Sequence, residues 1–140
     1  MVTGNLTLPD GSIYEGELVN GLPHGKGKKT WADGEKYEGD WVNGVMNGKA
    51  KVTWARGGTY EGEVVNNKPH GKGKKIQTNG AVYEGDFVNG GYNGKGKMTF
   101  QDGGTYEGDW VNNKFHGKGK LIAGDGTVYE GNFQDSQFVG

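Results

Sequence analysis

A repeat of constant length is the feature that most constrains how this chain can fold. The tripeptide Tyr-Glu-Gly recurs every 23 residues without an insertion, beginning at Tyr14, Tyr37, Tyr60, Tyr83, Tyr106 and Tyr129. A second marker, His/Asn-Gly-Lys-Gly/Ala-Lys, keeps the same period at 24–28, 47–51, 70–74, 93–97 and 116–120. Its first residue alternates between His and Asn, which superimposes a weaker period of 46 residues. The chain is therefore a repeat protein, whose units stack on their neighbours.

Each unit has the pattern of a β-hairpin. A first strand is predicted at Tyr37–Val42, followed by a turn at Asn43–Gly44, where both residue types suit left-handed conformations. A second strand is predicted at Gly25–Trp31, and an Asp-Gly loop such as Asp33–Gly34 leads to the next tyrosine. No segment shows helical periodicity of useful length. We predict an all-β fold, one extended sheet of about a dozen short strands.

The composition excludes several classes of protein. Glycine accounts for 30 of 140 residues and hydrophobic residues for only 31 %, so a conventional aliphatic core is difficult to build. Aromatic residues nevertheless reach 11 %, which argues against disorder. The absence of cysteine excludes disulfides and thiolate zinc sites, and a net charge of −1 gives no indication of nucleic-acid binding. Without a signal peptide or a membrane-spanning run, we expect a cytoplasmic protein, with association with a membrane or the cytoskeleton left open.

Strand alternation predicts two different faces for the sheet. One, called the aromatic face, takes the Tyr and Gly of each tripeptide and the large residue that follows, at Leu18, Trp41, Val64, Phe87, Trp110 and Phe133. The second-strand glycines share it with Trp31, Trp54 and Phe100, although Gln77 and Ala123 interrupt that column. The other, called the charged face, takes ten carboxylates and ten lysines. Glycine beside an aromatic residue leaves room for the ring to lie over the backbone.

The combination Tyr-x-Gly-x-Trp, Asn-Gly and His-Gly-x-Gly, repeated every 23 residues, resembles the MORN repeat (membrane occupation and recognition nexus) over nearly the whole chain. The resemblance implies an elongated, twisted single-layer antiparallel sheet of tandem β-hairpins with a groove along it. It also implies a non-catalytic module that binds proteins or acidic phospholipids. The chain departs from the pattern at the tryptophan of several first strands, and Ala50 replaces a glycine. These departures put individual aromatic contacts in question, but not the fold.

The repeats form one array over residues 1–140, with five full periods and a partial repeat at each end. Two interpretations remain open: a segment of a longer array or multidomain protein, and a small protein whose ends serve as caps. An open sheet exposes unpaired strand edges, so we expect self-association into a dimer or an end-to-end oligomer.

Metal binding and catalysis find little support in the residues. His24, His70 and His116 share one repeat position two repeats apart, which at two strands per repeat separates them by about 20 Å. Zinc needs all of its ligands at about 2.0–2.1 Å from one centre, so these are predicted to be turn residues. The segment 25–30 lacks both the spacing and the following helix of a phosphate loop. The only serines, Ser12 and Ser136, have no neighbouring histidine. We predict no enzyme, no metal and no cofactor.

Two binding functions remain, and they use different faces. A protein or peptide partner, or a second copy, would lie along the aromatic groove, with Tyr60 and Tyr83 at its centre. The predicted contacts are aromatic residues of that face: Tyr37, Tyr60, Tyr83, Tyr106, Trp31, Trp41, Trp54, Trp110, Phe87 and Phe100. The alternative is an anionic membrane surface bound through lysine-rich strands. Its predicted contacts are Lys28, Lys29, Lys72, Lys74 and Lys75.

Overall fold

The structure, a computed structural model, describes residues 2–140 and contains one open antiparallel sheet. Thirteen strands follow one another in chain order, each hydrogen-bonded to its neighbours in sequence. They are β1 (Val2–Thr7), β2 (Ile13–Val19), β3 (Leu22–Thr30), β4 (Lys36–Val42), β5 (Val45–Thr53), β6 (Thr59–Val65), β7 (Lys68–Ile76), β8 (Val82–Val88), β9 (Gly91–Thr99), β10 (Thr105–Val111), β11 (Lys114–Ile122), β12 (Val128–Gln134) and β13 (Gln137–Phe138). The predicted all-β sheet of tandem hairpins is confirmed. The described residues include no helix long and apolar enough to cross a membrane.

Two-residue turns close the hairpins. Asn43 and Gly44 both have positive φ, 49° and 89°, as a type I′ turn requires. The preceding hairpin has the same kind of turn at Asn20 and Gly21, with φ 53° and 74°, so its second strand begins directly after it, at Leu22 rather than at the predicted Gly25. The same strand ends before Trp31, which was predicted to close it. The Trp31 N–H donates to the Glu35 carbonyl and its own carbonyl accepts the Gly34 N–H, so Trp31 opens the loop instead.

A register irregularity recurs in every hairpin at the fourth residue from the tyrosine. Between Gly62 and Val64 the pairing shifts, and the carboxylate of the intervening Glu63 accepts the Lys72 N–H at 2.7 Å. Gly71, opposite it, has φ +108°, and a Cβ there would lie 2.1 Å from the Glu63 carboxylate. The second residue of the His/Asn-Gly-Lys marker must therefore be glycine.

Most tyrosines of the Tyr-Glu-Gly tripeptides lie over a glycine of the next strand. The Tyr60 hydroxyl donates to the Glu63 carbonyl at 2.6 Å, and a Cβ on Gly73 would lie 2.2 Å from that hydroxyl oxygen. This arrangement leaves the ring 0 % exposed. The tyrosines with the same placement and the same burial are Tyr14, Tyr60, Tyr83 and Tyr106. Aromatic rings packed on bare backbone thus supply the core that the composition lacks.

Ala50 accounts for the one internal exception. It occupies the repeat position of Gly73, and its methyl group takes the space that a tyrosine ring fills elsewhere. Tyr37, the tyrosine of that repeat, remains partly exposed and makes an edge contact with Trp31 at 4.7 Å between ring centroids. The expectation that the Ala50 departure would disturb an aromatic contact is therefore confirmed.

Each turn docks on the preceding hairpin through a backbone bond and a matched side chain. The Asn67 N–H donates to the Met46 carbonyl, and the Asn67 side chain accepts the Met46 N–H at 2.8 Å. Where the preceding hairpin has proline, which has no N–H, the turn residue is glycine, as with Pro23 and Gly44. The same position pairs Pro69 with Gly90 and Tyr92 with Asn113.

Candidate functional site

The aromatic face is built in two layers around the buried tyrosines. Tyr83 stacks on Tyr92 with ring centroids 3.9 Å apart, and it makes edge contacts with Phe87 and Trp110 at 5.1 and 5.2 Å. Tyr106 is covered in the same way by Phe115, at 4.1 Å. Burial raises the pKa of Tyr60 and Tyr106 to about 12. The buried tyrosines therefore form a continuous core, and the residues that cover them supply the outer surface of this face.

The sequence analysis missed the covering column of this face. Each member is the second residue of a second strand, two residues before the marker glycine: Pro23, Met46, Pro69, Tyr92 and Phe115. Alternation places them beside the glycines on the aromatic face, and all recur with the period of 23. The repeat alignment used for the other columns would therefore have identified them.

The predicted partner contacts divide by exposure. Six are buried within the sheet: Tyr60, Tyr83, Tyr106, Trp41, Trp110 and Phe87. Four are partly exposed: Tyr37, Trp31, Trp54 and Phe100. The central pair, Tyr60 and Tyr83, is 0 % exposed, so a partner would meet the residues that cover these rings. Their role in binding stays a prediction, and their packing gives them a structural role in any case.

The exposed rings form a row at the edge of the aromatic face. Trp31, Trp54 and Phe100 each follow directly on the end of a second strand, at one repeat position, and we call them the loop-edge row. Gln77 occupies the position between Trp54 and Phe100, as the sequence indicated. Its Nε2 donates to the Tyr92 hydroxyl at 2.7 Å, which fixes the outer ring of the second layer.

Two lysines belong to the aromatic face. Lys29 pairs with Tyr14 and Tyr37 in the strand register, and Lys75 pairs with Tyr60 and Tyr83. Their ammonium groups lie over rings of the loop-edge row: the Lys29 Nζ is 4.7 Å from the Trp31 centroid, and the Lys75 Nζ is 5.3 Å from that of Trp54. At these distances the cation is attracted to the ring face.

The charged face is a lattice in which lysines and carboxylates alternate across the strands. Lys74 lies opposite Glu61 on one side and Glu84 on the other, and Lys72 forms an ion pair with Asp86. The hydrogen bond from Lys72 lowers the pKa of Asp86. A cleft of about 660 Å³ runs between the charged columns over a floor of glycine backbone. Positive charge on this face is thus locally balanced.

The predicted lipid-binding lysines do not form one surface. Lys28, Lys72 and Lys74 belong to the charged face, where carboxylates lie opposite them. Lys29 and Lys75 belong to the aromatic face. Adjacent lysines in an extended strand point to opposite sides, so a sequence pair such as Lys74-Lys75 does not double the charge of either face.

The histidines lie within second strands, at the third residue of β3, β7 and β11, and not in turns as predicted. Their role is structural, since they join successive repeats. The Nδ1 atoms of His24 and His70 accept backbone N–H groups of the next turn, from Asn43 at 3.3 Å and from Asn89 at 3.2 Å. Asn93 uses its side-chain oxygen in the same way, accepting the Asn112 N–H. Residues 2–140 contain no cluster of three or more His, Asp or Glu side chains with metal-binding geometry.

Comparisons with known proteins agree with this architecture. The MORN repeat pattern matches five consecutive segments, residues 14–36, 37–59, 60–82, 83–105 and 106–128. No curated protein matches the chain. Among solved structures, the chain is similar to the TCP domain of SAS-4 (dCPAP) from Drosophila melanogaster, solved in complex with a proline-rich motif of Ana2 (dSTIL). The identity is 13 %, the alignment covers 90 % of this chain and 75 % of that one, and the TM-score is 0.49.

A second similar structure is the TCP10 domain of CPAP from Danio rerio, solved with a peptide of STIL. Here the identity is 17 %, the coverage is 96 % of this chain and 68 % of that one, and the TM-score is 0.38. The fold and its two faces define a β-repeat protein with a single-layer sheet. The five matched repeats place it further: the chain belongs to the MORN repeat family.

Proposed function

We propose that the chain is a non-catalytic, cytoplasmic scaffold that binds an extended protein segment along the loop-edge row of its aromatic face. The observation that carries the proposal is that Trp31, Trp54 and Phe100 share one repeat position and are partly exposed. The central rings of the same face, those of Tyr60 and Tyr83, are buried within the sheet. Tryptophan is enriched among residues that dominate binding energy, and a rigid underlying layer lowers the entropy lost on binding.

The spacing of the row suits an extended chain. Trp31 and Trp54 are one repeat apart, about 10 Å at two strands per repeat. A segment in the polyproline II conformation advances about 3.1 Å per residue with three residues per turn, so every third side chain lies on the same side and would meet a successive position of the row. Phe100 is two repeats beyond Trp54, and Gln77 occupies the position between them. The ligand would therefore present apolar side chains at a spacing of three residues, interrupted by a polar contact.

We expect Trp54→Ala to weaken such binding by about 2 kcal/mol or more, roughly thirtyfold, because an anchor residue is lost from the row. Peptides would be selected from a random 12-residue library on the intact chain, and their affinities measured by fluorescence anisotropy. Lys51→Ala on the charged face is the matched control. Selected peptides that bind Trp54→Ala, Trp31→Ala and Phe100→Ala as tightly as the original chain would refute the proposal.

The membrane alternative is tested with the same variants. Vesicles of phosphatidylcholine with phosphatidylserine, sedimented at low and high ionic strength, should retain little of the chain, because the charged face is balanced. Retention that high salt abolishes, and that is lost on neutralising Lys72 and Lys74 but kept by Trp54→Ala, would favour the lipid function instead.

Self-association is a second proposal, favoured by complementary outer edges in this chain. Tyr129 is 39 % exposed, whereas Tyr106 one repeat earlier is fully buried over Gly119. Gly4 occupies the repeat position of Gly119 on the opposite edge of the sheet, and no tyrosine covers it. β13 occupies the outer edge of β12 at Phe133 and Gln134. We infer that β1 of a second copy pairs with the part of β12 that remains free, residues 128–131, which would bring Tyr129 over Gly4.

In that register Asn5 of one copy lies opposite Glu130 of the other, as Lys120 lies opposite Glu107 within the chain. Mixing Asn5→Cys with Glu130→Cys under mild oxidation should therefore give a disulfide-linked dimer, since the chain has no other cysteine. Asn5→Cys with Lys51→Cys is the control for random collision. Light scattering that shows only the 15.0 kDa monomer, together with equal cross-linking in both mixtures, would contradict self-association.

A further inference from the structure

Lys75 is anomalous in its surroundings. Four other repeats place an apolar side chain or a differently paired lysine at its position, namely Val52, Met98, Leu121 and Lys29. Lys75 lies at the middle of the array, on a strand whose neighbours in register are the fully buried Tyr60 and Tyr83. Among residues 2–140 no carboxylate lies within 4 Å of its Nζ. A cation is therefore held on an aromatic surface without a counter-charge.

The environment of this ammonium group is aromatic on two sides. Its Nζ is 5.3 Å from the Trp54 ring centroid and 5.7 Å from that of Tyr92. Burial lowers the pKa of Lys75, which indicates that its hydration is incomplete. Cation–π attraction offsets part of the lost hydration but adds no hydrogen-bond acceptor. The ammonium group of such a lysine has three N–H donors, and it forms its strongest hydrogen bonds with a charged acceptor such as a carboxylate.

Lys29 provides the comparison within the chain. It lies over Trp31 in a similar way, near Asp10, whose pKa is lowered mainly by hydrogen bonds from Ser12 and to a smaller extent by the charge of Lys29. Asp10 also accepts a hydrogen bond from the Trp31 indole at 3.1 Å. In the first repeats, then, an internal carboxylate accompanies the lysine and the tryptophan. Asp33, which occupies the repeat position of Asp10, lines a cleft with Trp54, but no carboxylate of residues 2–140 lies within 4 Å of the Lys75 Nζ.

The neighbouring cleft has room for a side chain. Lys75, Trp54 and Gln77 line a cleft of about 470 Å³ at the loop edge. Asp33 and Glu35 line it as well, and Arg56 and Lys75 balance their charge, so an incoming carboxylate is attracted only where it contacts the Lys75 ammonium group directly. Gln77 replaces the aromatic residue of the loop-edge row here, which makes this the one polar interruption between Trp54 and Phe100.

We propose that Lys75, Trp54 and Gln77 form an anchor for an acidic side chain of the bound segment, an aspartate or glutamate flanked by apolar residues. The inference rests on the proposed function, and it adds the chemical class and the position of the partner's polar residue. The carboxylate provides the ion-pair partner that Lys75 lacks among residues 2–140, while the flanking apolar residues contact Trp54 and Phe100.

The test uses peptides selected on the intact chain from the random 12-residue library. We expect the selected sequences to be enriched in Asp or Glu with apolar neighbours. Lys75→Met introduces the residue found at position 98, so the fold should be retained, which thermal unfolding verifies. This variant should weaken binding about tenfold or more, and replacing the acidic residue of the peptide by its amide should have the same effect.

Lys75→Arg keeps the charge and should keep most of the affinity, and Lys74→Met, one residue away on the charged face, should leave it unchanged. If peptides depend on Trp54 but show no acidic enrichment, or bind Lys75→Met unchanged, the anchor is refuted and the binding function survives. If the peptides do not depend on the loop-edge row at all, the proposed function itself fails. Equal losses in Lys74→Met and Lys75→Met would indicate a general charge effect and would also refute the anchor.

Discussion

Gly73→Ala is expected to destabilise the sheet by about 2–4 kcal/mol. The new methyl group would lie 2.2 Å from the Tyr60 hydroxyl, and the ring would have to leave its place over the backbone. The cost combines about 1.5–3 kcal/mol for exposing a buried aromatic side chain with about 1 kcal/mol for the hydrogen bond to the Glu63 carbonyl. Tyr37 beside Ala50 shows the expected result, a tyrosine that stays partly exposed.

Urea unfolding followed by circular dichroism measures this effect. Gly4→Ala is the matched control, because Gly4 occupies the same repeat position and no tyrosine lies over it. Its Cβ would meet only the tip of Leu18 at 3.3 Å, so we expect a change within about 1 kcal/mol. Ala50→Gly is the reverse experiment and should bury Tyr37. Equal losses for Gly73→Ala and Gly4→Ala would mean that the tyrosine ring is not the cause.

Tyr83→Ala is expected to cost about 3–5 kcal/mol of stability, the usual range for truncating a buried aromatic residue. Its ring contacts Phe87, Tyr92 and Trp110, and the ring is 0 % exposed. Tyr83→Phe removes only the hydroxyl that donates to the Asp86 carbonyl at 2.7 Å, so about 1 kcal/mol should be lost. Denaturant midpoints of both variants give the comparison.

The same pair of variants separates a structural role from a binding role. If Tyr83→Ala left the unfolding free energy unchanged while abolishing peptide binding, the tyrosine would be a direct contact, as the sequence predicted. The structure leads us to expect the opposite result. Tyr83→Ala should lose much of its stability, and Tyr83→Phe should give a folded chain that still binds through the loop-edge row. Trp54→Ala should show the reverse pattern, since Trp54 is partly exposed.

Several properties of the chain followed from its residues alone, because each depends on local geometry. The period of 23 residues specifies one hairpin per unit, and the Asn-Gly pairs specify the two-residue turns. Strand alternation then separated the carboxylates and lysines from the tyrosines and glycines. Glycine beside an aromatic residue was expected to leave room for a ring, and Ala50, in place of a glycine, marked a position where an aromatic contact was in question. Each of these properties depends only on the neighbours of a residue within its own strand and on the adjacent strand.

Tertiary structure decided which aromatic residues remain accessible. Alternation assigns a side chain to a face, but it does not say that Tyr92 folds back over Tyr83 and leaves the latter 0 % exposed. Likewise the sequence placed Lys74 and Lys75 together as a basic pair, whereas the sheet directs one toward Glu61 and Glu84 and the other toward Trp54. Exposure and counter-charge are set by residues one or two repeats away, at distances that only the stacked sheet brings within contact.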